Sequence, residues 1–281
     1  MGGELGVAVC AILKNEADYV EEWLAFHILQ GVSSVVLYDN NSSDDTCARA
    51  RSFARHVALQ IVPWPDSADG FDLTQRLAYF DGARRLSGVA DYVAFLDLDE
   101  FLFASDYRPL AQVLAAFPVG TAAIAVNQRV FGSAAQARST EGLVTSRFTM
   151  AAAADHPESH WFKTIARPER ILGFDTVHSV VLTSGAYVLS DGRPLPPRPD
   201  HSGFSSLVPE GALRLNHYIL KSREEFERKK LKWSGQDLSS RYTDEYFEVR
   251  DRAINAVRDE RLLPFGERIQ ALIRSSRDGA C

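Results

Sequence analysis

The amino-acid sequence predicts an α/β protein with a mostly parallel sheet that is flanked by helices. A continuous apolar run over residues 6–13 is typical of a strand that is buried on both faces. Strand-like segments then alternate with segments of helical periodicity, which is the pattern of parallel strands joined by helical crossovers. Polar clusters follow three of these strands, and ligands of such sheets bind beyond the carboxyl ends of the strands. The pattern therefore predicts both the fold class and the place of a candidate site.

Four strands and three helices are predicted in the first half of the chain. The strands cover residues 6–13, 34–38, 56–63 and 91–96, and the helices cover residues 17–30, 44–53 and 73–86. The first helix has the clearest spacing, with Val20, Trp23, Leu24, His27 and Ile28 on one side. Gly31 is expected to end that helix.

The second half is less regular. Strands are predicted over residues 121–126 and 214–218, and residues 131–138 are expected to form a loop. Proline and glycine are frequent over residues 190–206, which predicts an exposed loop or a lid. Ser222 and Glu225 form a capping-box pattern that opens a helix, and helices are expected to continue to about residue 275.

Composition and charge exclude several classes of protein. With 281 residues and 46% hydrophobic residues, the chain can bury a sizeable core, and its net charge of −6 argues against a nucleic-acid-binding protein. Cys10, Cys47 and Cys281 are far apart, so neither a disulfide framework nor a structural zinc site is expected. No apolar run is long enough for a transmembrane segment. We expect a cytoplasmic protein, and a peripheral association with a membrane stays open.

The strongest chemical signal is the pair Asp97 and Asp99 at the end of the fourth strand. Two carboxylates leaving a buried strand are costly to hold without a cation between them, and Mg²⁺ and Mn²⁺ prefer oxygen ligands. The alternative is a turn with solvated acids. Apolar neighbours on both sides, among them Phe95 and Phe101, favour buried acids and therefore a metal site.

A second polar cluster runs from Asp39 to Thr46, with the sequence DNNSSDDT. Its simplest interpretation is an Asn-rich turn in which Ser43 or Asp44 caps the next helix. A ligand-binding role for Asp39 is compatible with that interpretation, because Asp39 precedes the turn and stands at the end of the second strand.

Together these segments resemble the nucleotide-sugar half of GT-A glycosyltransferases, and more narrowly the family 2 and family 92 group. The resemblance covers about residues 6–235 and rests on these segments: Lys14 to Glu16 with Trp23 and His27, Tyr38 to Asp44, Phe95 to Phe101, and Asn216 to Ser222. It implies a GT-A (Rossmann-like) domain over residues 1–235, with a nucleotide-binding half over about 6–105 and an acceptor half over about 106–235. A helical C-terminal extension over residues 236–281 would follow.

The resemblance also implies roles for individual residues and a divalent cofactor, Mn²⁺ or Mg²⁺. Nucleotide-binding roles fall on Leu13, Asn15, Glu16, Asp39, Asp97 and Lys221, and metal-binding roles fall on Asp97, Asp99 and His217. Asp39 would accept a hydrogen bond from the imide N–H of uracil or thymine, which implies a UDP- or dTDP-linked donor. Two alternatives stay open: His217 as a core histidine and Lys221 as a solvated lysine.

The implied reaction moves a sugar from a nucleotide-sugar donor to a hydroxyl group of a glycan or of a lipid- or protein-linked acceptor, as in polysaccharide biosynthesis. A cation and a lysine would stabilise the leaving diphosphate, and an inverting enzyme needs a carboxylate base. The acid pair of family 2 is not recognisable after Asp99. Asp155 and Glu158 are the nearest candidates, with Glu158 preferred, although a surface acid in a polar loop is the favoured explanation of Glu158.

Three further residues have no derived role. His178 lies at a position that resembles one in the family, and Trp161 and Asn127 are candidates for sugar contacts, although core packing and a turn would also explain them.

Three other functions are weighed against glycosyl transfer. A metal-dependent phosphatase with Asp97 as nucleophile would carry Thr or Val where Phe101 stands, and a nucleotidyltransferase would carry a glycine-rich loop where residues 13–17 have no glycine. A non-catalytic module that binds a nucleotide sugar also stays open.

Overall fold

A computed structural model of the protein describes residues 5–68, 70–197, 203–232 and 242–278. The strands are β1 (Val7–Leu13), β2 (Ser34–Asp39), β3 (Ala58–Pro63), β4 (Tyr92–Phe95), β5 (Glu100–Ala104), β6 (Thr121–Val130), β7 (Met150–Ala151), β8 (Phe162–Ala166), β9 (Ile171–Phe174), β10 (Val180–Leu182), β11 (Ala186–Leu189), β12 (Leu213–His217) and β13 (Val257–Arg258). The helices are α1 (Val20–Leu29), α2 (Thr46–Arg51), α3 (Phe71–Leu86), α4 (Leu110–Ala115), α5 (Val144–Arg147), α6 (Arg223–Lys232), α7 (Asp244–Ile254) and α8 (Gly266–Asp278).

A nine-stranded sheet forms the centre of the described structure. Its order is β3-β2-β1-β4-β8-β6-β12-β5, and β11 also pairs with β6. The pairs β3–β2, β2–β1 and β1–β4 are parallel, as are β6–β12 and β6–β11, whereas β8 and β5 run antiparallel to their neighbours. The prediction of an α/β fold with a mostly parallel sheet flanked by helices is confirmed.

Strand β1 shows why the apolar run marks the centre of the sheet. All seven of its residues are buried, and alternate side chains enter two different apolar clusters. Val9 and Ala11 pack with Trp23 and Phe26 of α1, while Cys10 packs on the other face with Tyr79 of α3. Successive side chains of a strand point to opposite faces, so a strand covered on both faces is apolar throughout.

The elements of the first half lie where the sequence predicts them, within a few residues at each end. The largest error concerns residues 100–104, which were not expected to form a strand but pair as β5 with β12. Strands β7 to β11, which are short, are also not predicted. Strands β7, β8 and β11 pair with strands that are distant in the chain, whereas β9 and β10 pair with each other. Ser222 does open a helix, since its Oγ and the backbone of Glu225 are hydrogen-bonded as in a capping box.

The predicted C-terminal extension is mostly helical in its described part, with the two-residue strand β13 between α7 and α8, and it packs back onto the first half. Arg277 of α8 donates to Glu21 of α1 at 2.7 Å. The boundary predicted at residues 235–236, part of the predicted lid (198–202) and Cys281 lie outside the described residues. Cys10 and Cys47 are free thiols. In the described ranges, helices of the length and apolarity that a membrane crossing requires are absent.

Candidate functional site

A central cavity of about 210 Å³ opens at the carboxyl ends of β1 and β4, where the sequence places its polar clusters. Five residues with predicted roles line it: Leu13, Glu16, Asp97, Asp99 and His217. An adjoining cavity of about 420 Å³ shares Glu16 and Asp99 with it and is also lined by Asn15 and Lys221. The fold therefore brings residues from three distant parts of the chain to one place.

The Asp97–Asp99 turn is held by a tryptophan from α1. Trp23 Nε1 donates to the carbonyl oxygens of both Asp97 (3.1 Å) and Glu100 (2.9 Å). Strand β5 follows at once and pairs antiparallel with β12, which sets Glu100 opposite His217. The position of His217 in the site thus follows from the strand that the sequence did not predict.

Asp97 is bound by three protein donors. Its Oδ1 accepts from Gln75 Nε2 (2.7 Å) and from the Tyr79 hydroxyl (3.2 Å), and its Oδ2 accepts from Lys163 Nζ (2.8 Å). Burial disfavours the charged form, but the ammonium group of Lys163 outweighs it and lowers the pKa of Asp97. Asp97 is therefore an ionised carboxylate with a fixed orientation.

Asp99 faces a different set of groups. His217 Nε2 lies 3.4 Å from its Oδ1, and Lys229 Nζ lies 3.1 Å from its Oδ2. Burial opposes ionisation here too, yet Lys229 and His217 hold the pKa of Asp99 well below its usual range. Burial also opposes the charged form of His217, but Asp99 and Glu100 raise the pKa of its imidazole. The core-histidine alternative is wrong, because His217 faces carboxylates.

Gln128 orients the imidazole ring. His217 Nδ1 lies 2.7 Å from Gln128 Oε1 and donates to it, which directs Nε2 toward Asp99.

The donor set fits a divalent ion in part. Two ligand atoms on one Mg²⁺ ion, with bonds of about 2.1 Å at right angles, lie about 3 Å apart. The 3.4 Å between Asp99 Oδ1 and His217 Nε2 is close to that value, so this pair fits a shared cation. Asp97 has less capacity for a cation, since its Oδ1 already accepts from two protein donors and its Oδ2 accepts from Lys163. Among the described residues no three His, Cys, Asp or Glu side chains cluster as a metal site.

One side of the two cavities is formed by α6 and the segment before it, and this side is lined by lysines. Lys229 and Lys232 line both cavities, and Lys232 pairs with Glu16. Lys221 is buried, and its ammonium lies 4.4 Å from the centre of the Tyr19 ring. Burial lowers the pKa of Lys221. The solvated-lysine alternative is wrong, and these lysines give the site a cationic wall.

The Asn-rich cluster holds the loop that follows β1. The backbone N–H of Asn15 donates to Ser42 Oγ (3.0 Å), and that of Glu16 donates to Thr46 Oγ1 (2.7 Å). Asn15 adopts a left-handed backbone with φ of 51°, which Asn tolerates better than most residues. Asp44 accepts from the backbone N–H groups of both Ala17 (3.1 Å) and Thr46 (3.0 Å). The cluster therefore positions the lining residues 13–16.

Asp39 also serves this turn, because its Oδ1 accepts from the backbone N–H of Ser42 at 3.0 Å. It does not line the central or the adjoining cavity. Its contact with a base stays a prediction.

The two candidate bases are not brought to the central cavity. Asp155 is exposed, and Glu158 forms an ion pair with Arg250 at 2.7 Å. Neither lines the central or the adjoining cavity, although the backbone oxygen of Glu158 accepts from Gln128. Their role as base stays a prediction.

His178 does line the central cavity, with Trp161 packed against its ring at 5.3 Å between centroids. Its Nδ1 donates to the carbonyl of Phe162 (3.0 Å), and burial lowers its pKa to about 3. Asn127 lies elsewhere, where its amide donates to the backbone oxygens of Ser159 and His160. The structure thus gives His178 a place beside the acids.

Sequence reasoning missed the partners of the acids, namely Gln75, Tyr79, Lys163 and Lys229. One signal was present. Lys163 is a lone charge in the otherwise uncharged strand Phe162–Ala166 and is 2% exposed. A buried lysine in such a strand requires an acidic partner.

Comparisons with known proteins identify the family of the chain. The family model "Glycosyltransferase family 92" matches residues 4–190. A glycosyltransferase family 92 protein of Oryza sativa subsp. japonica is 27% identical over 79% of this chain and 35% of its own length, and one of Arabidopsis thaliana is 30% identical over 36% of this chain and 17% of its own length. The chain thus spans about a third or less of the length of these curated relatives.

Solved structures show a weaker likeness. S. aureus TarS (residues 1–349), in complex with UDP-GlcNAc, is 12% identical with a TM-score of 0.43, over 85% of this chain and 69% of that chain. Glucosyl-3-phosphoglycerate synthase from Mycobacterium tuberculosis, in complex with Mn²⁺, UDP-Glc and phosphoglyceric acid, is 17% identical with a TM-score of 0.35, over 70% and 73%. The family-model match, which covers well over half of the residues, decides the assignment: the chain belongs to glycosyltransferase family 92.

Proposed function

We propose that this protein transfers a glycosyl group from a nucleoside diphosphate sugar to a hydroxyl group of an acceptor. The observation that supports this most is the Asp99–His217 pair next to a wall of lysines, at the edge of the sheet where α/β proteins bind ligands. Membership of glycosyltransferase family 92 supports the same reaction.

The lysine wall is suited to a diphosphate leaving group. Negative charge develops on the diphosphate as the bond between the anomeric carbon and the diphosphate oxygen breaks, and fixed cationic groups stabilise this charge. Lys229 and Lys232 now pair with Asp99 and Glu16, so a bound diphosphate would share them with these carboxylates. A Mn²⁺ or Mg²⁺ ion held by Asp99 and His217 would neutralise a further part of that charge.

Asp97 is suited to position the donor. Its carboxylate is held by Gln75, Tyr79 and Lys163, but its side chain is still 37% exposed toward the cavity. We assign it the task of accepting a hydrogen bond from a ribose hydroxyl. Leu13 at the end of β1 and Glu16 in the loop after it would line the base.

The donor is proposed to be linked to UDP or dTDP. An acceptor such as the Asp39 carboxylate selects for the imide N–H of uracil and thymine, which adenine lacks. Competition by UDP or dTDP but not by ADP is therefore expected. Equal inhibition by ADP would exclude this role for Asp39.

The acceptor is proposed to be a glycan or a lipid- or protein-linked hydroxyl, and transfer is proposed to invert the anomeric carbon. Glu158 is the proposed base and Asp155 the second choice. Glu158→Gln should lower turnover at least about a hundredfold, the lower range for loss of a general base, without weakening UDP binding. Unchanged turnover in both Glu158→Gln and Asp155→Asn would remove them from the mechanism.

The proposal is tested first by binding. Calorimetry with UDP should show affinity that rises with Mn²⁺ in the wild type and loses this Mn²⁺ dependence in Asp99→Asn. Asp106→Asn is the matched control, because Asp106 pairs with Arg108 on the surface, outside both cavities. Failure of every uridine, guanosine and thymidine diphosphate to bind the wild type would contradict the proposal.

Turnover is tested by the release of UDP from UDP-sugars, with and without candidate acceptors. Slow hydrolysis without an acceptor indicates an enzyme. Tight binding without any release under all conditions would instead indicate the non-catalytic module.

A further inference from the structure

A third cavity, of about 280 Å³, lies where β6 changes its partner. One part of β6 pairs with β11 (residues 121–125 of β6), and the next part pairs with β12 (residues 128–130). Between them the sheet splits, and the gap forms what we call the seam cavity. It shares no lining residue with the central or the adjoining cavity.

Three residues that line the seam cavity each have a buried polar atom without a hydrogen-bond partner among the described residues. The atoms are Asn127 Oδ1, Arg129 Nε and Ser159 Oγ. Ser159 is 2% exposed. The Asn127 amide cannot simply be reversed, because its Nδ2 donates to the carbonyls of Ser159 (3.0 Å) and His160 (3.2 Å). Buried polar groups are nearly always satisfied, so three in one cavity indicate a ligand or ordered solvent.

The charges favour an anion over solvent alone. Arg214 pairs with Asp259 at 3.1 Å, and Arg261 lies 4.0 Å from the same carboxylate. Arg129 has no ion pair with a described residue, and Glu210 is an exposed acid at the cavity. Three arginines against two carboxylates leave one positive charge unbalanced. Water would satisfy the hydrogen bonds but would not balance this charge.

The unbalanced positive charge is least favourable at Arg129. Burial lowers the pKa of its guanidinium even though the charges of Asp259 and Glu210 oppose this shift, which means that the site disfavours the charge of Arg129. An arginine guanidinium matches a carboxylate or a phosphate with two parallel hydrogen bonds.

We propose that the seam cavity is a second ligand site, which binds the carboxylate or phosphate group of a small polar molecule. Arg129 donates to the anion, and Asn127 and Ser159 bind hydroxyl groups next to it. The binding claim does not depend on the proposed glycosyl transfer.

Gln128 connects this site to the central cavity. It lines the seam cavity, and its Oε1 accepts from His217 Nδ1 at 2.7 Å. Its Nε2 donates to the backbone oxygen of Glu158, whose neighbour Ser159 carries one of the unpartnered atoms. A ligand in the seam cavity therefore lies one side chain away from the imidazole of the proposed active site. Such a ligand is either an acceptor with an anionic group or a free effector.

Glucuronate and glucose are the matched probes, because they differ in the carboxylate alone, and inorganic phosphate is a third probe. In thermal-shift and calorimetric titrations of the whole chain, glucuronate should stabilise the wild type and glucose should not. Arg129→Met should weaken glucuronate binding at least about tenfold, the loss expected for one charge-assisted hydrogen bond. Lys229→Met, which changes the central cavity, should leave the affinity for glucuronate unchanged.

The unliganded variant supplies an independent measurement. Because Arg129 is charged and unpaired, Arg129→Met should unfold at the same temperature as the wild type or at a higher one. A clear fall would show that Arg129 already has a structural partner, and it would overturn the proposal. Absence of a shift with both anions, or an equal shift in Arg129→Met, would overturn it as well.

A final arm distinguishes the two sources of the anion. Glycosylation of glucuronate in the presence of a UDP-sugar would identify the ligand as an acceptor. Binding without glycosylation would identify it as an effector. Should the protein show no transfer at all, the binding result stands, and only the proposed function fails.

Discussion

The charges that surround Lys163 in the candidate site can be tested by measuring the stability of the protein. It is 2% exposed, and its ammonium lies 2.8 Å from Asp97 Oδ2 and 3.4 Å from Glu100 Oε2. At 2.8 Å two unit charges attract by about 6 kcal/mol at an effective dielectric constant of about 20. Part of this energy offsets the cost of burying the charges. Removing one partner of a buried pair typically costs about 3–5 kcal/mol, and we expect Lys163→Met to destabilise the protein by that amount.

The cost should depend on pH in a defined direction. Burial raises the pKa of Glu100 to about 7, and Lys163 opposes that rise. Without Lys163 the pKa of Glu100 rises further, so above pH 7 the folded variant binds a proton that the folded wild type has lost. The difference in free energy of unfolding between the wild type and Lys163→Met should therefore grow by about 1.4 kcal/mol per pH unit above pH 7, until Glu100 ionises in the variant.

Urea unfolding in EDTA between about pH 6 and pH 9 measures both effects. The double variant Lys163→Met/Glu100→Gln should recover part of the loss and should lose the added pH dependence. Arg108→Met is the control, since Arg108 and Asp106 form a pair of similar length with both side chains about half exposed, and surface pairs contribute little. A pH-independent loss in Lys163→Met, left unchanged by the second substitution, would refute the assignment of these charges.

Three further predictions concern the frame of the site. Burial lowers the pKa of His27 from 6.5 to about 4, so the contribution of the neutral imidazole to stability is present above about pH 6.5 and is lost as the pH falls toward 4. Between about pH 7.5 and pH 5, the free energy of unfolding of the wild type, measured in urea, should fall by about 2 kcal/mol more than that of His27→Gln. Equal losses in the two proteins would contradict this. Thr46→Val leaves the N–H of Glu16 without its acceptor and should cost about 1–3 kcal/mol, whereas Thr46→Ser, which keeps the hydroxyl, should cost clearly less. Ser222→Ala should cost about 1 kcal/mol through the lost cap of α6, and an unchanged unfolding midpoint would argue against that cap.

The parts of the fold that local patterns encode could be predicted from the sequence. Strand β1 is apolar throughout because it is covered on both faces, and its neighbours β2 and β4 carry similar apolar runs. The polar residues that follow these strands meet at one edge because parallel strands end on the same side of a sheet. Strand β5 is not predicted, because apolar residues next to the acids, such as Phe101, are equally explained as cover for those acids.

The partners of the acids could not be predicted in the same way. Asp97 and Lys163 are 66 residues apart, and Asp99 and Lys229 are 130 residues apart. Each contact depends on which strand becomes the neighbour of which, and short windows of periodicity carry no information on strand order. The DNNSSDDT cluster shows the converse, because its turn was predicted from local chemistry. Its contact with Asn15 on the loop after β1 came from the parallel pairing of β1 with β2.

Asp97 and Asp99 are only two residues apart, but their carboxylates are contacted by different parts of the structure. The described donors to the Asp97 carboxylate come from α3, which packs on the sheet, and from β8, a central strand of it. The groups that face Asp99 come from β12 and α6, with His217 and Lys229 on either side of its carboxylate. A ligand that draws Lys229 toward itself therefore changes the surroundings of Asp99 and leaves those of Asp97 as they are. Asp97 is thus held in place by the protein. Asp99 is the carboxylate whose partners would be exchanged if the proposed cation and diphosphate bind.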